Sequence, residues 1–179
     1  MVEGIDDRDG NGEALLGKDP AELVLCYLAC PPDAADGFVG AVLLTDGRGR
    51  PLHFAYVSPI RPTRMQRLLY GATLEEHLKV DVITARLIQD LPTKPHIVFV
   101  DMPDLISARR VTGIPTALLS KNVGETEGGG SVRFDTGSNV TDRDTIGQLI
   151  ESLEGTFNVI EPFVRVREAL KEVLAPSAA

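Results

Sequence analysis

The stretch FVGAVLLTDGRGRPLHFAYVS (38–58) decides the fold, because two apolar runs face each other across Asp46-Gly47-Arg48-Gly49-Arg50. An Asp-Gly step between two β-rich runs is a strong hairpin signal, so 38–46 and 51–58 are predicted as antiparallel strands. Upstream, ELVLCYLAC (22–30) is a short continuous apolar run that suits a buried strand. PPDAADG (31–37) breaks it with prolines, aspartates and glycine. Three sequential strands result, at least two of them antiparallel.

Downstream the pattern turns helical. Pro62 stands near a helix start and Gly71 at its end. Thr73 with Glu76 three positions on reads as a capping box, opening a helix that runs to about Leu91, where Pro92 and Pro95 stop it. HIVFVD (96–101), PDLISARRVTG (103–113) and IPTALLSK (114–121) read as strand, short helix and strand, which predicts a parallel crossover. NVGETEGGGS (122–131) reads as a flexible connection and SVRFD (131–135) as an edge strand. Two helices close the chain. The first starts near Thr141 and Asp144 and carries Ile146, Leu149, Ile150 and Leu153; the second starts at Pro162 and carries Phe163, Val166, Ala169, Leu170, Val173 and Leu174.

The predicted class is therefore α/β, with a mixed sheet that begins with three mostly antiparallel strands. Helices, a parallel crossover and two C-terminal helices follow. In element order this resembles ribonuclease H-like domains. The resemblance implies a two-metal nuclease chemistry built on carboxylates, normally including one on the first strand, and VLCYLAC carries none. No residue motif identifies a family.

Length and composition agree with one domain. The chain has 179 residues, enough to bury a core without disulfides. Residues 1–18 are polar and Gly-rich and read as a flexible acidic arm, 19–175 as a single α/β domain and 176–179 as a frayed tail. Two cysteines suit a reducing compartment. The acidic, Gly-rich start is unlike a signal peptide, and no apolar run approaches the length of a membrane span, so a cytoplasmic location is expected.

The net charge is −8, against a broad nucleic-acid surface. Yet no acidic residue lies between Gly47 and Leu74, where Arg48, Arg50, Arg61, Arg64 and Arg67 sum to +5, leaving −13 for the remainder. Arg61, Arg64 and Arg67 recur every third residue across a helix start and are the candidate anion site, since guanidinium forks match phosphate and carboxylate geometry. The competing role is pairing with the chain's own carboxylates.

Helical geometry offers a second constellation. At about 100° per residue, Leu74, Leu78, Ala85 and Ile88 form one apolar stripe, and Val80, Ile83, Leu87 and Leu91 another. Glu75, Lys79, Arg86 and Asp90 fall on the opposite, polar side. His77, Asp81 and Thr84 make a polar seam between the stripes, with His77 and Asp81 four apart and able to hydrogen-bond. An Asp-oriented general base is one reading. A structural pair or an interface spot is the stronger one, because no nucleophile is linked to it.

The third candidate is a carboxylate site for Mg²⁺ or Mn²⁺. Asp101 ends a strand, where α/β sheets bind ligands, and Asp104, Asp142 and Asp144 are its candidate companions. Asp101 also stands where it can cap the helix after Pro103. Cys26 and Cys30 point to one side of a strand, about 13 Å apart, too far for a disulfide, and read as core residues. The glycines at 124–130 lack a phosphate-loop ending, and neither a nucleophile elbow nor a paired-histidine zinc motif is present.

Two functions compete. One is a non-enzymatic interaction or accessory subunit, needing no cofactor, that contacts an anionic partner (nucleic acid, phosphate or an acidic protein surface) through the arginine segment. The other is a divalent-metal phosphoesterase or nuclease centred on Asp101. A protein partner or a homodimer through the 74–91 helix, whose apolar arc is broad, fits the first.

Overall fold

Alternation along the leading strands sorts their side chains onto two faces, and each face has its own layer of helices. The computed structural model describes residues 15, 17–32, 37–121 and 132–175. Strands β1 (Leu25–Ala29), β2 (Phe38–Thr45), β3 (Pro51–Ile60), β4 (Ile97–Val100), β5 (Thr116–Lys121) and β6 (Val132–Asp135) form one sheet in the order β3-β2-β1-β4-β5-β6. The pairs β1–β2, β2–β3 and β5–β6 are antiparallel, whereas β1–β4 and β4–β5 are parallel. The predicted α/β class, leading antiparallel strands and parallel crossover are all present.

The Asp-Gly connection makes the β2–β3 hairpin as its sequence requires. Asp46 Oδ1 accepts the backbone N–H of both Arg48 and Arg50 at 2.9 Å, and Gly49 supplies the φ of 76° that the turn needs. Register shifts near both ends of β3, close to Pro51 and Pro59, interrupt an otherwise long, uncharged edge.

One face of the sheet, with Leu25, Tyr27, Ala41, Leu43, Ile97 and Phe99, packs under α5 (Val140–Glu154) and α6 (Glu161–Leu174). The expected Ile146, Leu149, Ile150 and Leu153 of α5 and Phe163, Val166 and Leu170 of α6 are buried there, but Val173 is exposed. The opposite face, with Cys26, Leu28, Cys30, Val42, Val98 and Val100, packs against Ile83, Leu87, Leu105 and Ala108. Cys26 and Cys30 share this face and are free thiols.

The chain between β3 and β4 departs from the expected single α-helix. It forms α1 (Arg64–Tyr70), a 3-10 turn Gly71–Thr73, α2 (Leu74–Glu76), a π-helix His77–Thr84 and α3 (Ala85–Gln89). The capping box lies at Thr63 and Gln66, on α1, not at Thr73 and Glu76. Thr73 instead donates its hydroxyl to the Tyr70 carbonyl. The π-helix closes its turns from residue i to i+5, and the Thr84 hydroxyl follows that step by donating to the Lys79 carbonyl at 2.7 Å. This wider turn rotates Lys79 off the expected polar side and into the buried set with Leu78, Val80, Ile83 and Thr84. Within the broad apolar arc, Ile83 and Leu87 are covered by the chain's own sheet together with Ala108 of α4 (Ala108–Thr112) and Leu105 of the turn before it, and Ile88 and Leu91 are partly buried beside them.

Pro103–Ser107 forms a 3-10 turn ahead of α4, which ends at the left-handed Gly113. Within the span read as an arm, Leu15 is buried in the core and Lys18 contacts His96 at 2.8 Å. Residues 1–14 and 16 of that arm, the glycines at 124–130 and the tail 176–179 lie outside the described residues.

Candidate functional site

The sheet reverses its winding between β1 and β4. From β1 the chain steps outward to β2, and from β4 it steps the other way to β5. In open α/β sheets, the crevice beyond the carboxyl ends of two such strands is where ligands bind. A cleft of about 420 Å³ lies there, lined among others by Cys30, Phe38, Arg67, Glu75, Lys79 and Met102, a volume within the usual range of small-molecule sites.

Lys79 is the central charge of this cleft. Its side chain is 6% exposed and its ammonium donates to Asp104 at 2.8 Å and to Glu75. Burial opposes the charge, but the bonds to Asp104 and Glu75 outweigh it and hold the pKa above the ordinary lysine value. Cys30 lies in the same cleft wall, and burial pushes its thiol up to about 12, so it is not a ready nucleophile. Sequence reading missed Lys79 because an α-helical wheel places it outside. The Glu75–Lys79 spacing of four was the available signal.

Asp101 follows β4 at the same end of the sheet. Burial raises its pKa, partly offset by the adjacent Arg167 guanidinium of α6. Arg167 sits against Asp101 Oδ2, and its guanidinium together with the Asp101 backbone N–H works against that rise without overcoming burial. The expected cap on the next helix is absent, since Met102 occupies the cap position. Its candidate companions are engaged or placed elsewhere: Asp104 holds Lys79, Asp142 holds Arg109 of α4 at 2.8 Å, and Asp144 is exposed. Among the described residues, no three His, Cys, Asp or Glu side chains gather to hold a metal ion.

The polar seam splits. His77 Nδ1 and Asp81 Oδ2 lie 3.1 Å apart, and Arg110 of α4 donates to Asp81 Oδ1 at 2.8 Å. The His77 bond, with Arg110, lowers the pKa of Asp81. Tyr70 stacks on the imidazole with ring centroids 4.4 Å apart. The pair therefore ties the π-helix to α1 and α4. Thr84 is buried away from them, spending its hydroxyl on the Lys79 carbonyl.

The arginine segment divides too. Arg67 lines the cleft and has an intramolecular contact of its own, and Arg48 pairs with Asp19 at 3.2 Å. Arg61 and Arg64 are exposed and make no ion pair among the described residues. Their helix, α1, buries none of its residues. Its apolar members, Met65, Leu68 and Leu69, face outward at 62%, 69% and 76% exposure, an arrangement no sequence pattern announced.

No family model matches the chain, and no curated protein matches it. Among solved structures it is similar to Marinitoga piezophila Argonaute in complex with 5' OH guide RNA, with 12% identity, coverage of 73% of this chain and 25% of that one, and a TM-score of 0.36. The chain spans about a quarter of that protein's length, and nothing about its function follows from so slight a likeness. Among the described residues, no helix is long and apolar enough to cross a membrane.

Proposed function

We propose that this protein is a non-enzymatic interaction or accessory subunit that contacts an anionic partner through the Arg61–Arg67 segment. The observation that carries the reading is the state of Arg61 and Arg64: both are exposed and lack an ion pair among the described residues, in a chain of net charge −8. Carboxylates are abundant, yet none lies between Gly47 and Leu74. Such segregation favours attraction of an external anion and speeds encounter with it.

Retention on immobilised poly-L-glutamate and on heparin, as a function of salt, tests the reading. The parent should elute later than the Arg61→Ala/Arg64→Ala variant on at least one matrix, with the difference shrinking as salt rises. Adding Arg67→Ala should change retention less, because Arg67 faces the cleft. Identical elution of parent and double variant on both matrices would remove the reading.

A phosphoesterase or nuclease reading keeps one observation in its favour, the mostly buried carboxylate of Asp101, whose pKa is raised, at the sheet's winding reversal. Cleavage of labelled oligonucleotides with Mg²⁺ or Mn²⁺, abolished by Asp101→Asn, would establish it over the interaction reading.

A further inference from the structure

Beside its arginines, α1 carries a second outward feature. Met65, Leu68 and Leu69 stand at i, i+3 and i+4, a spacing that places them on one side of a helix, and all three are exposed. Isolated surface leucines need no explanation, but a contiguous apolar stripe on a helix with no buried residue marks an interaction surface. At helical spacing Arg64 borders this stripe, and Arg61 precedes it across Pro62 and the Thr63 cap.

We infer that α1 docks against an acidic amphipathic segment of a partner protein, its three apolar side chains forming the centre of the contact and Arg61 and Arg64 the rim. This rests on the anionic-partner reading above and narrows it to one class of partner. An apolar centre with a charged rim is how protein interfaces are built, and i, i+3, i+4 anchors are how a helix enters a groove. Single-stranded nucleic acid is held by aromatic stacking, and the outward stripe is aliphatic. Duplex nucleic acid and an anionic bilayer present extended negative surfaces, which would also meet the −13 carried by the rest of the chain. A second copy in two-fold contact would bring this patch onto itself, and the segment between Gly47 and Leu74 has no carboxylate to receive the arginines.

The test uses the full chain and two labelled probes of equal length. One is a helical peptide with leucine at i, i+3, i+4 and i+7 and glutamate elsewhere; the other is poly-L-glutamate, which offers charge alone. Fluorescence anisotropy should show the parent binding the amphipathic peptide more tightly. Leu68→Ser/Leu69→Ser should weaken that binding by about tenfold and leave poly-L-glutamate binding unchanged, with the thermal midpoint showing that the variant is folded. Arg61→Ala/Arg64→Ala should weaken both probes.

If the leucine variant binds the peptide as the parent does, the apolar inference fails and the arginine reading stands. If the arginine variant binds both probes as the parent does, or the parent binds neither, the acidic-segment inference fails, and the anionic-partner reading then stands or falls on arginine-dependent heparin retention. A parent dimer in sedimentation that dissociates on Leu68→Ser/Leu69→Ser would assign the stripe to a second copy. Binding to phosphatidylserine vesicles as tight as to the peptide would assign it to a lipid surface. Either result overturns the partner class.

Discussion

Helix α1 and the π-helix lie six residues apart in the chain and reverse the usual relation between polarity and burial. Arg64–Tyr70 holds Met65, Leu68 and Leu69 in solvent and buries nothing. His77–Thr84 buries a lysine along with Leu78, Val80 and Ile83. The difference is a matter of neighbours, not of composition. The π segment lies across the sheet beside Cys30 and Val42, so whatever its wide turn directs inward must be buried. Gly40 marks how close that approach is, since a Cβ there would lie inside contact distance of Ile83 Cγ2. Helix α1 leaves the sheet after Arg61-Pro62, touches the π-helix through Tyr70 on His77, and leaves Met65, Leu68 and Leu69 in solvent. An apolar pattern therefore specifies a helix face without saying whether its own chain will cover it.

The largest effects should come from the covered region. Ile83→Ala removes a fully buried side chain between sheet and helix layer and should cost about 3–4 kcal/mol in denaturant unfolding. Lys79→Ala leaves Asp104 and Glu75 facing an emptied, buried position. The carboxylates left behind are 63% and 36% exposed, so water solvates them and the cost falls below the buried-pair range to about 1–2 kcal/mol, mostly the lost packing of the lysine stem. Lys79→Met keeps the apolar stem and should recover part of the loss. If Lys79→Ala were as mild as a surface change, Lys79 would not be a buried charge in solution, and the contrast with α1 would collapse.

Asp101, which follows β4 and meets Arg167 of α6, sharpens the contrast. Lys79 has partners that outweigh its burial, whereas burial of Asp101 outweighs Arg167 and raises its pKa. A carboxylate with a raised folded pKa contributes stability that is present below the unfolded pKa of about 3.9 and is lost as pH rises through the folded value. Asp101→Asn should therefore leave the protein as stable or more stable at pH 7, and the gain should fade on titrating toward pH 4. A clear loss at pH 7 would mean that Arg167 governs the site, and Asp101 would then be an ordinary ion-pair residue.

Most of the fold was legible because strand signals are local. The Asp-Gly turn fixed the hairpin, alternation along β1 and β2 fixed which side chains share a face, and Gly113 fixed the end of α4. The π-helix was not legible, since a wheel drawn at α-helical spacing assumes the periodicity that the segment abandons. That one assumption misplaced Lys79 and grouped Thr84 with His77 and Asp81. Arg61, Arg64 and Arg67 could be found from charge segregation alone. All three are exposed, and that Arg67 alone lines the cleft depends on where α1 leaves the sheet, which no charge count contains.

The smallest predicted effect is the one on which the exposed region stands. Leu68→Ser/Leu69→Ser removes two large apolar side chains, but both are already hydrated, so almost no burial is lost. What remains is the lower helix propensity of serine, a few tenths of a kcal/mol per position. The double variant should therefore lie within about 1 kcal/mol of the parent, a shift of about 2–4 °C at most for a chain of this size. Differential scanning calorimetry at two protein concentrations measures this directly. A loss of more than about 2 kcal/mol at both concentrations would show that the chain itself covers the stripe. A loss that grows with concentration would show that a second copy does. Near-neutrality leaves α1 as a face whose apolar side chains the fold does not use.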